Sequence, residues 1–426
     1  MTRWRKGIFL MALMAIILLA GTGQNAHAST GSIGVVCQLD HPIVGNQADE
    51  QLRYIADHYV GISDRKARLT KGQRARLRQL NPDILLLRYL NFSEIYAGEL
   101  PGRIIRHRNK KQVSRNSVPV ALLDRENQPE PALWSRNGSG ITVDPASPLW
   151  RSFLVHAAVR AVVNGYDGIL ADSCLMANDL PASFAGIDPV TGQVYTSASF
   201  RRAQYENLRV VRQAIKAVRS DALLVANSIG NGTRYFKSRG HALPASTFLE
   251  VTDGVVAEGF LGKLDRQPGK FLTKRQWLAN LKMMREISGQ HKICIVVFKY
   301  RRDLFEKIPA AKRRASDLFN LATVLLAKGK KTFISSMALD TGHKKKSFHP
   351  YSQLWATNIG QPLASCYQQG DLWLRKYTSG LVLVNPGDKE KMALLDSTYF
   401  LPDKRRVRAI KIGPHAGLIL TGKPER

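Results

Sequence analysis

Gly165-Tyr166-Asp167-Gly168-Ile169-Leu170-Ala171-Asp172 decides more of the fold than any other stretch of this 426-residue chain. A short apolar run closes there on a carboxylate. The preceding segment, Pro148 to Asn164, repeats apolar residues at three- and four-residue spacing, so the pair reads as a helix feeding a strand. The same texture returns at Gly254-Val255-Val256-Ala257-Glu258-Gly259-Phe260, again ending on an acid.

Working outward from these two runs, short apolar segments alternate with longer helical ones from Ser32 onward, the signature of a parallel sheet with crossover helices. Eight strands are expected: Ile33 to Leu39, Tyr59 to Ile62, Ile84 to Tyr89, Tyr166 to Ala171, Leu223 to Asn227, Gly254 to Glu258, Ile293 to Phe298 and Thr332 to Met337. The clearest helices besides Pro148 to Asn164 are Ser199 to Arg219, Thr273 to Ser288 and Pro309 to Lys328. Eight strand-helix units favour a closed barrel over an open doubly wound sheet. No glycine-rich phosphate loop follows the first strand, which weighs the same way. The stretch Asn91 to Pro148 is long, basic and irregular, with an inserted hairpin expected around Pro119 to Leu123. Beyond His349 the pattern changes to alternating segments, Leu372 to Tyr377, Gly380 to Asn385, Lys391 to Leu395, Val407 to Ile412 and Ala416 to Thr421, which read as a small antiparallel sheet. The expected class is α/β, a (β/α)8 TIM barrel at 29–348 followed by a β domain at 349–426.

Residues 1–28 read as a secretory signal: Arg3, Arg5 and Lys6, an apolar run Ile8 to Ala20, and Ala26-His27-Ala28 before the cut. The expected destination is the periplasm or the medium, with no membrane span left after cleavage. Removing the three basic residues of that segment lowers the formal charge from +30 to +27. The excess is spread along the chain in runs such as Arg106 to Lys111, Lys299 to Arg302 and Lys404 to Arg408, not gathered on one motif, which argues against a nucleic-acid partner. Such a dispersed excess reads first as a solvated surface; if it has a role, attraction to an acidic polysaccharide or to phosphate-rich envelope material is the natural one. Four cysteines, Cys37, Cys174, Cys294 and Cys366, are too few to staple a chain of this size and match no metal spacing.

In a barrel of this kind chemistry sits at the carboxyl ends of the strands. Asp172 and Glu258 close the fourth and sixth strands, one neighbour apart, and can face each other across a cleft. A lone strand-end acid more often caps a helix or pairs with an arginine; two in one barrel point to a catalytic pair, one carboxyl to protonate a leaving oxygen and one to attack or activate water. Asp167, before Gly168, belongs to the strand's entry instead. Asn227, between the two acids, Arg88 and Tyr89 on the third strand, Lys299 and Tyr300 on the seventh, and Asp340 after the eighth are the candidate substrate contacts. Ser335 and Ser336 share that last position. With no His or Cys cluster nearby, no metal and no cofactor are expected. Of the tryptophans, Trp134, Trp150, Trp277, Trp355 and Trp373 include candidate sugar platforms, most of them expected in the core.

Gly165 to Asp172 resembles the Gly-aromatic-Asp-Gly-aliphatic-x-x-Asp motif of glycoside hydrolases with a (β/α)8 barrel, among them the hypothetical glycosyl-hydrolase-like families and relatives of the endo-polygalactosaminidase and α-galactosidase type. The tail Leu381 to Gly387, closing on Gly413 to Leu420, resembles the β domain that follows such barrels. The resemblance implies a nucleophile or stabilising carboxylate at Asp172, an acid/base at Glu258 and a polysaccharide or oligosaccharide substrate. Those barrels often carry an aromatic residue or Asn after the motif Asp, where this chain has Ser173-Cys174, so substrate preference does not carry over. The competing expectation is a barrel that binds envelope polysaccharide without cutting it.

Overall fold

The computed structural model describes residues 32–39, 42–96, 121–127, 130, 140–174, 180–227, 229–236, 245–260, 271–301, 308–339 and 352–422. Eight parallel strands close into a barrel: β1 (Gly34–Leu39), β2 (Gly61–Asp64), β3 (Leu85–Asn91), β6 (Gly168–Asp172), β7 (Leu223–Asn227), β8 (Gly254–Ala257), β9 (Ile293–Arg301) and β10 (Thr332–Leu339). Each strand pairs with its neighbours in chain order, and β10 closes the ring on β1 through Gly34 opposite Phe333 and Val35 opposite Ile334. The expected barrel is therefore the observed one, with strand ends displaced by at most a few residues. The sixth strand stops at Ala257, leaving Glu258 in the turn just past it.

Alternation along these strands divides the core in two. One set, Val36, Leu87, Leu170, Val225, Val256, Ile293, Ile295 and Val297, fills the barrel. The other set packs outward, Ile62, Leu86, Ile169, Leu224, Val255, Cys294 and Ile334 meeting the helices. Those helices are α1 (Ala48–His58), α2 (Lys71–Leu80), α3 (Pro148–Val163), α4 (Ser197–Val218), the short α5 (Gly232–Phe236), α6 (Lys274–Gly289) and α7 (Ala310–Ala327). Local chemistry fixes their starts. Thr70 with Gln73, Thr196 with Ser199 and Thr273 with Gln276 form reciprocal capping boxes, and Ser147 caps α3 just ahead of Pro148 at its first turn. Trp150, Trp277 and Trp355 are buried, and Trp373 packs against the same core.

Two structural acids tie strand entries to their neighbours. Asp167, directly before Gly168, accepts the Leu86 N–H at 2.7 Å and Arg78 Nη2 at 2.8 Å. Asp253, directly before Gly254, accepts the Leu224 N–H at 3.0 Å and Arg212 Nη2 at 2.9 Å, with Lys216 at 3.3 Å. The glycine that follows is needed at the first of these: a Cβ on Gly168 would stand 2.0 Å from the Leu223 carbonyl oxygen.

After β3 the chain leaves the barrel. β4 (Glu94–Tyr96) pairs antiparallel with β5 (Gly140–Thr142), and Ala121 bridges Val143. Of the hairpin expected around Pro119 to Leu123, 119 and 120 lie outside the described residues; Ala121 bridges Val143, and Leu122 donates its N–H to the Thr142 carbonyl and accepts the Glu130 N–H. The loop after β6 packs onto it, the Ile187 N–H donating to the Leu123 carbonyl at 2.8 Å around a small cluster of Leu122, Phe184, Tyr195 and Phe200.

The last six strands, β11 (Tyr367–Gln369), β12 (Leu372–Tyr377), β13 (Gly380–Asn385), β14 (Lys391–Phe400), β15 (Arg406–Ile412) and β16 (Ala416–Thr421), form an antiparallel sheet in the order β11-β12-β13-β16-β14-β15. One face lies on α7, where the Tyr377 hydroxyl and Arg375 Nη1 donate to the Leu325 carbonyl and Arg375 also to that of Lys328. These bonds satisfy carbonyls that the end of a helix leaves open. The other face has its own apolar cluster, Leu372, Leu374, Leu381, Leu383, Ala393, Tyr399, Ile412 and Leu420. The expected signal segment, residues 1–28, and the expected junction at 348 lie outside the described residues.

Candidate active site

Asp172 is the last residue of β6 and faces Asn91 across the pairing with β3. Its side chain follows the inward row begun by Leu170. Three donors hold it. Asn227 Nδ2 reaches Oδ1 at 2.7 Å, the Ser173 N–H reaches the same oxygen at 2.8 Å, and the Tyr89 hydroxyl donates to Oδ2. None of the three carries a charge. An ionised carboxylate only accepts hydrogen bonds, so this cradle suits the anion and fixes its rotation.

The Ser173 contact depends on an unusual backbone. Ser173 sits at φ +58°, a region that non-glycine residues rarely adopt. The turn after β3 locks it there: Ser93 Oγ donates to the Ser173 carbonyl, and Asn91 Nδ2 approaches Ser173 Oγ at 3.4 Å. Asn91 Oδ1 in turn accepts the Ser93 and Glu94 N–H groups at 3.0 and 2.9 Å, and Gln204 Nε2 donates to Ser93 Oγ at 2.9 Å. Strain held in place by several neighbours is typical of positions where geometry serves chemistry. Asn91, Ser93 and Ser173 were not among the residues expected from sequence. Their signal was only a polar run after a strand, which is what most loops look like.

Glu258 repeats the placement of Asp172. Asp167-Gly168-Ile169-Leu170-Ala171-Asp172 and Asp253-Gly254-Val255-Val256-Ala257-Glu258 share one spacing: an acid and a glycine at the strand entry, then an acid five residues beyond the first. Val256 lines the barrel interior, and Glu258 comes two residues after it, at the start of the turn that leaves the strand. Asn227 pairs with Val256, so Glu258 stands two residues higher and two strands round from Asp172, roughly 7 Å along the strands and 10 Å across them. Glu258 is half-buried, and the neighbouring Gly259 N–H is anchored on the Gly230 carbonyl at 2.8 Å.

Of the expected substrate contacts, Tyr89 and Asn227 converge on Asp172. Asn227 is almost wholly buried, and while its amide nitrogen serves Asp172, its Oδ1 has no partner among the described residues. Ser335, on β10 opposite Val297, presents to the barrel's inside a buried Oγ that also has no partner among the described residues. Arg88 does not join them. It pairs with Asp64 and Ile169, both on the outward set, and its Nη1 donates to the Asp64 carbonyl at 3.0 Å. Lys299 and Tyr300 lie on β9 opposite Met337 and Ala338, with their side chains outside the described residues, as is Asp340. A cation that was not expected stands nearby: the Arg65 guanidinium lies 5.1 Å over the Tyr89 ring. Cys174, directly beyond Ser173, is fully buried, and burial next to Asp172 pushes its thiol well up, leaving it inert. Among the described residues no three His, Cys, Asp or Glu side chains gather so that they could hold a metal ion.

A closed parallel barrel with acids at the carboxyl ends of its fourth and sixth strands defines a class, the (β/α)8 enzymes, whose working residues come from strand ends and the loops behind them. Within that class the chain belongs to hypothetical glycosyl hydrolase family 15, whose family model matches residues 78–381 and so takes in Tyr89, Asp172, Asn227 and Glu258; it is a glycoside hydrolase. None of the curated proteins matches it. Among solved structures, Amy13B of Eubacterium rectale overlays with a TM-score of 0.53 at 10% identity, over 93% of this chain and 98% of that one. An α-amylase of Anoxybacillus gives 0.52 at 10% identity, over 92% and 98%. The glycoside hydrolase domain of PelA from Pseudomonas aeruginosa gives 0.42 at 15% identity, over 72% and 96%. At such identities the first two likenesses speak for the fold alone, and the third is too loose to carry an argument. No helix among the described residues is long and apolar enough to cross a membrane.

Proposed function

We propose that this enzyme is exported and cleaves a glycosidic bond in a polysaccharide or oligosaccharide, with Asp172 and Glu258 as its working pair. The observation that carries the assignment is the cradle of three uncharged donors on Asp172 at the mouth of the barrel. Asp172 is the carboxylate that attacks the anomeric carbon or activates water against it, and Glu258 delivers a proton to the departing oxygen. Asn227 serves both sides: its amide nitrogen steadies Asp172, and its Oδ1 accepts a sugar hydroxyl. Tyr89 holds the second carboxylate oxygen, so the attacking group cannot turn away. Lys299 and Tyr300 on the seventh strand and Asp340 after the eighth remain the proposed contacts on that side of the cleft.

Arg65 beside Tyr89, in a chain of formal charge +30, supports an acidic polymer as substrate. The basic, apolar and Ala-His-Ala segments of residues 1–28 support export. The test is the release of new reducing ends from a panel of acidic and neutral polysaccharides. Glu258→Gln is expected to lower turnover by about 10²–10⁴-fold, and Asp172→Asn by on the order of 10⁴-fold or more. Full activity in either variant overturns the pairing. Saturable binding without new reducing ends anywhere in the panel would return the reading of a barrel that binds envelope polysaccharide without cutting it.

A further inference from the structure

The acids stand on one side of the barrel, and the wall across from them is polar. β1 lies four strands from β7 by either way round the ring, so it is the strand directly opposite Asn227. The pairing leads from Gln38 on β1 through Ser63, Leu87 and Gly168 to Leu223 on β7, four residues short of Asn227. From Asn227 the other way it leads through Val256, Ile295 and Phe333 to Gly34, four residues short of Gln38. Equal slips on the two halves put Gln38 and Asn227 at one height along the barrel axis, in keeping with the way strand tilt layers such an interior. By the same slip Asp172 stands one residue higher, while Ser63 on β2 and Ser335 on β10 stand one residue lower, to either side of Gln38. All three polar residues belong to inward rows: Gln38 follows Val36, Ser63 pairs with Leu87 and Ser335 with Val297, each of these partners part of the set that fills the barrel.

Three consecutive strands thus interrupt an apolar filling that β6, β8 and β9 keep at the same two levels with Leu170, Val256 and Val297. Gln38 is half-buried, Ser63 is 5% exposed and Ser335 1%. Of the barrel's described strand residues, Ser335 and Asn227 are the two that hold a buried polar atom with no partner among the described residues. Such an atom costs the fold, and an apolar residue at 335 would pack without that cost, so the hydroxyl fits a partner that the chain does not itself supply. The wall offers one amide, with a donor and an acceptor side by side, and two hydroxyls that can play either part; none carries a charge. That inventory matches the neighbouring hydroxyls of a sugar ring. Facing backbones stand roughly 15 Å apart by strand spacing and tilt, and the amides of Gln38 and Asn227 narrow this to a slot. The slot admits the hydroxyl-bearing edge of a ring that itself lies higher, at the level of Asp172.

We infer, on the basis of the glycosidic reading above, that Gln38 with Ser63 and Ser335 beneath it forms the wall that grips the sugar presented to Asp172. The Gln38 amide donates to one ring hydroxyl and accepts from its neighbour, and Ser335 Oγ and Asn227 Oδ1 meet the hydroxyls that reach lowest. The experiment measures binding of a panel of neutral and acidic oligosaccharides to the Asp172→Asn chain, where no turnover consumes them. At least one sugar is expected to bind saturably. Adding Gln38→Ala removes a pair of hydrogen bonds and should weaken that binding about tenfold or more, and Ser335→Ala about threefold to tenfold. Both losses should be the same at low and high salt, because no charge is removed. Ser335→Ala also discards an atom that costs the fold, so its unfolding midpoint should hold or rise while binding falls, a combination that a merely structural hydroxyl would not give. Unchanged binding in Gln38→Ala overturns the inference, as does a panel in which no sugar binds. A midpoint several degrees lower in Ser335→Ala would make that hydroxyl a packing group and overturn its place in the wall. Failure of the cutting reading shows separately: a sugar that binds through Gln38, yet yields no new reducing ends with the wild type, removes the catalytic pair and leaves the wall standing.

Discussion

The two rims of the barrel treat their carboxylates in opposite ways. At the amino-terminal rim Asp167 and Asp253 each meet a backbone N–H and at least one guanidinium. For Asp253, burial pushes the carboxyl up, but the Arg212 bond, the Leu224 N–H and the charges of Arg212 and Lys216 outweigh it and hold the group below its usual range. Five residues further along the same strand, about 16 Å by strand rise, Asp172 is met among the described residues by an amide, a hydroxyl and a backbone N–H. An arginine would neutralise the very charge a substrate must feel; a neutral donor orients the carboxylate and leaves that charge in place. On the proposed assignment, partner type, more than burial or position in a motif, separates the acid that holds the fold from the acid proposed to work.

The sharpest way to break this comparison is to remove one charge from each rim. Asp172→Asn should abolish turnover and leave the thermal unfolding midpoint nearly unmoved. Asp253→Asn should do the reverse: it strands Arg212 and Lys216 against a partner without charge and should cost about 2–3 kcal/mol, lowering the midpoint by several degrees while kcat changes less than twofold. If Asp253→Asn destroys activity at an unchanged midpoint, the division between rims fails. The Asp253 contribution also has a sign in pH. A depressed carboxyl stabilises above its ordinary range and loses that contribution as pH falls through the depressed value, so wild type and Asp253→Asn should converge in acid.

A smaller effect sharpens the upper rim alone. Tyr89→Phe deletes the donor on Asp172 Oδ2 and keeps the ring under Arg65. A hydrogen bond to a charged group is worth about 1.5–3 kcal/mol, so kcat should fall roughly 10-fold to 100-fold, with KM changing little because the phenol acts through Asp172. An effect confined to KM would make Tyr89 a substrate contact and not a positioning residue.

Much of this was legible in the residues. The eight apolar runs and their alternation with helices are local patterns, and the barrel followed from counting them; Leu223 to Asn227, Leu372 to Tyr377 and Ala416 to Thr421 match the observed strands end for end. Asp172 was legible as the acid closing the most distinctive strand. The repeat of Asp-Gly-x-x-Ala-acid at 167–172 and 253–258 was in plain sight and carries both rims at once. Arg88 shows where such reading stops. It stands beside Tyr89 in sequence, but a one-residue step along a strand turns a side chain to the other face, and Arg88 serves Asp64 outside the barrel. The turn that sets Ser173 was out of reach for a different reason: Asn91 and Ser173 lie 82 residues apart and meet only because β3 and β6 pair.

The smallest expected effect concerns the loops that leave the upper rim. The excursion after β3 and the loop after β6 are joined through carboxyl groups: Asp144 accepts the Tyr195 hydroxyl at 2.9 Å, and Glu130 accepts the Ala185 N–H at 3.3 Å. Both carboxyls are pushed up from their ordinary values, chiefly by burial. Asp188 adds repulsion at Asp144 and Asp124 at Glu130; Arg151, which pulls Asp144 the other way, does not reverse the shift. A carboxyl raised in the folded state binds its proton more tightly there than in the unfolded chain, so its penalty is absent in acid and grows as pH rises from the ordinary carboxylate range through the raised value. The junction of these loops should therefore be tightest under mildly acidic conditions. Asp144→Asn and Glu130→Gln keep an acceptor for each hydrogen bond and remove the titration. Protection of the Ile187 and Tyr195 amides, taken relative to the intrinsic exchange rate at each pH, should rise in acid in the wild type and lose most of that dependence in the double variant. If the dependence survives, some other group governs how these loops hold together, and the contrast between rims would end at Asp172 and Glu258.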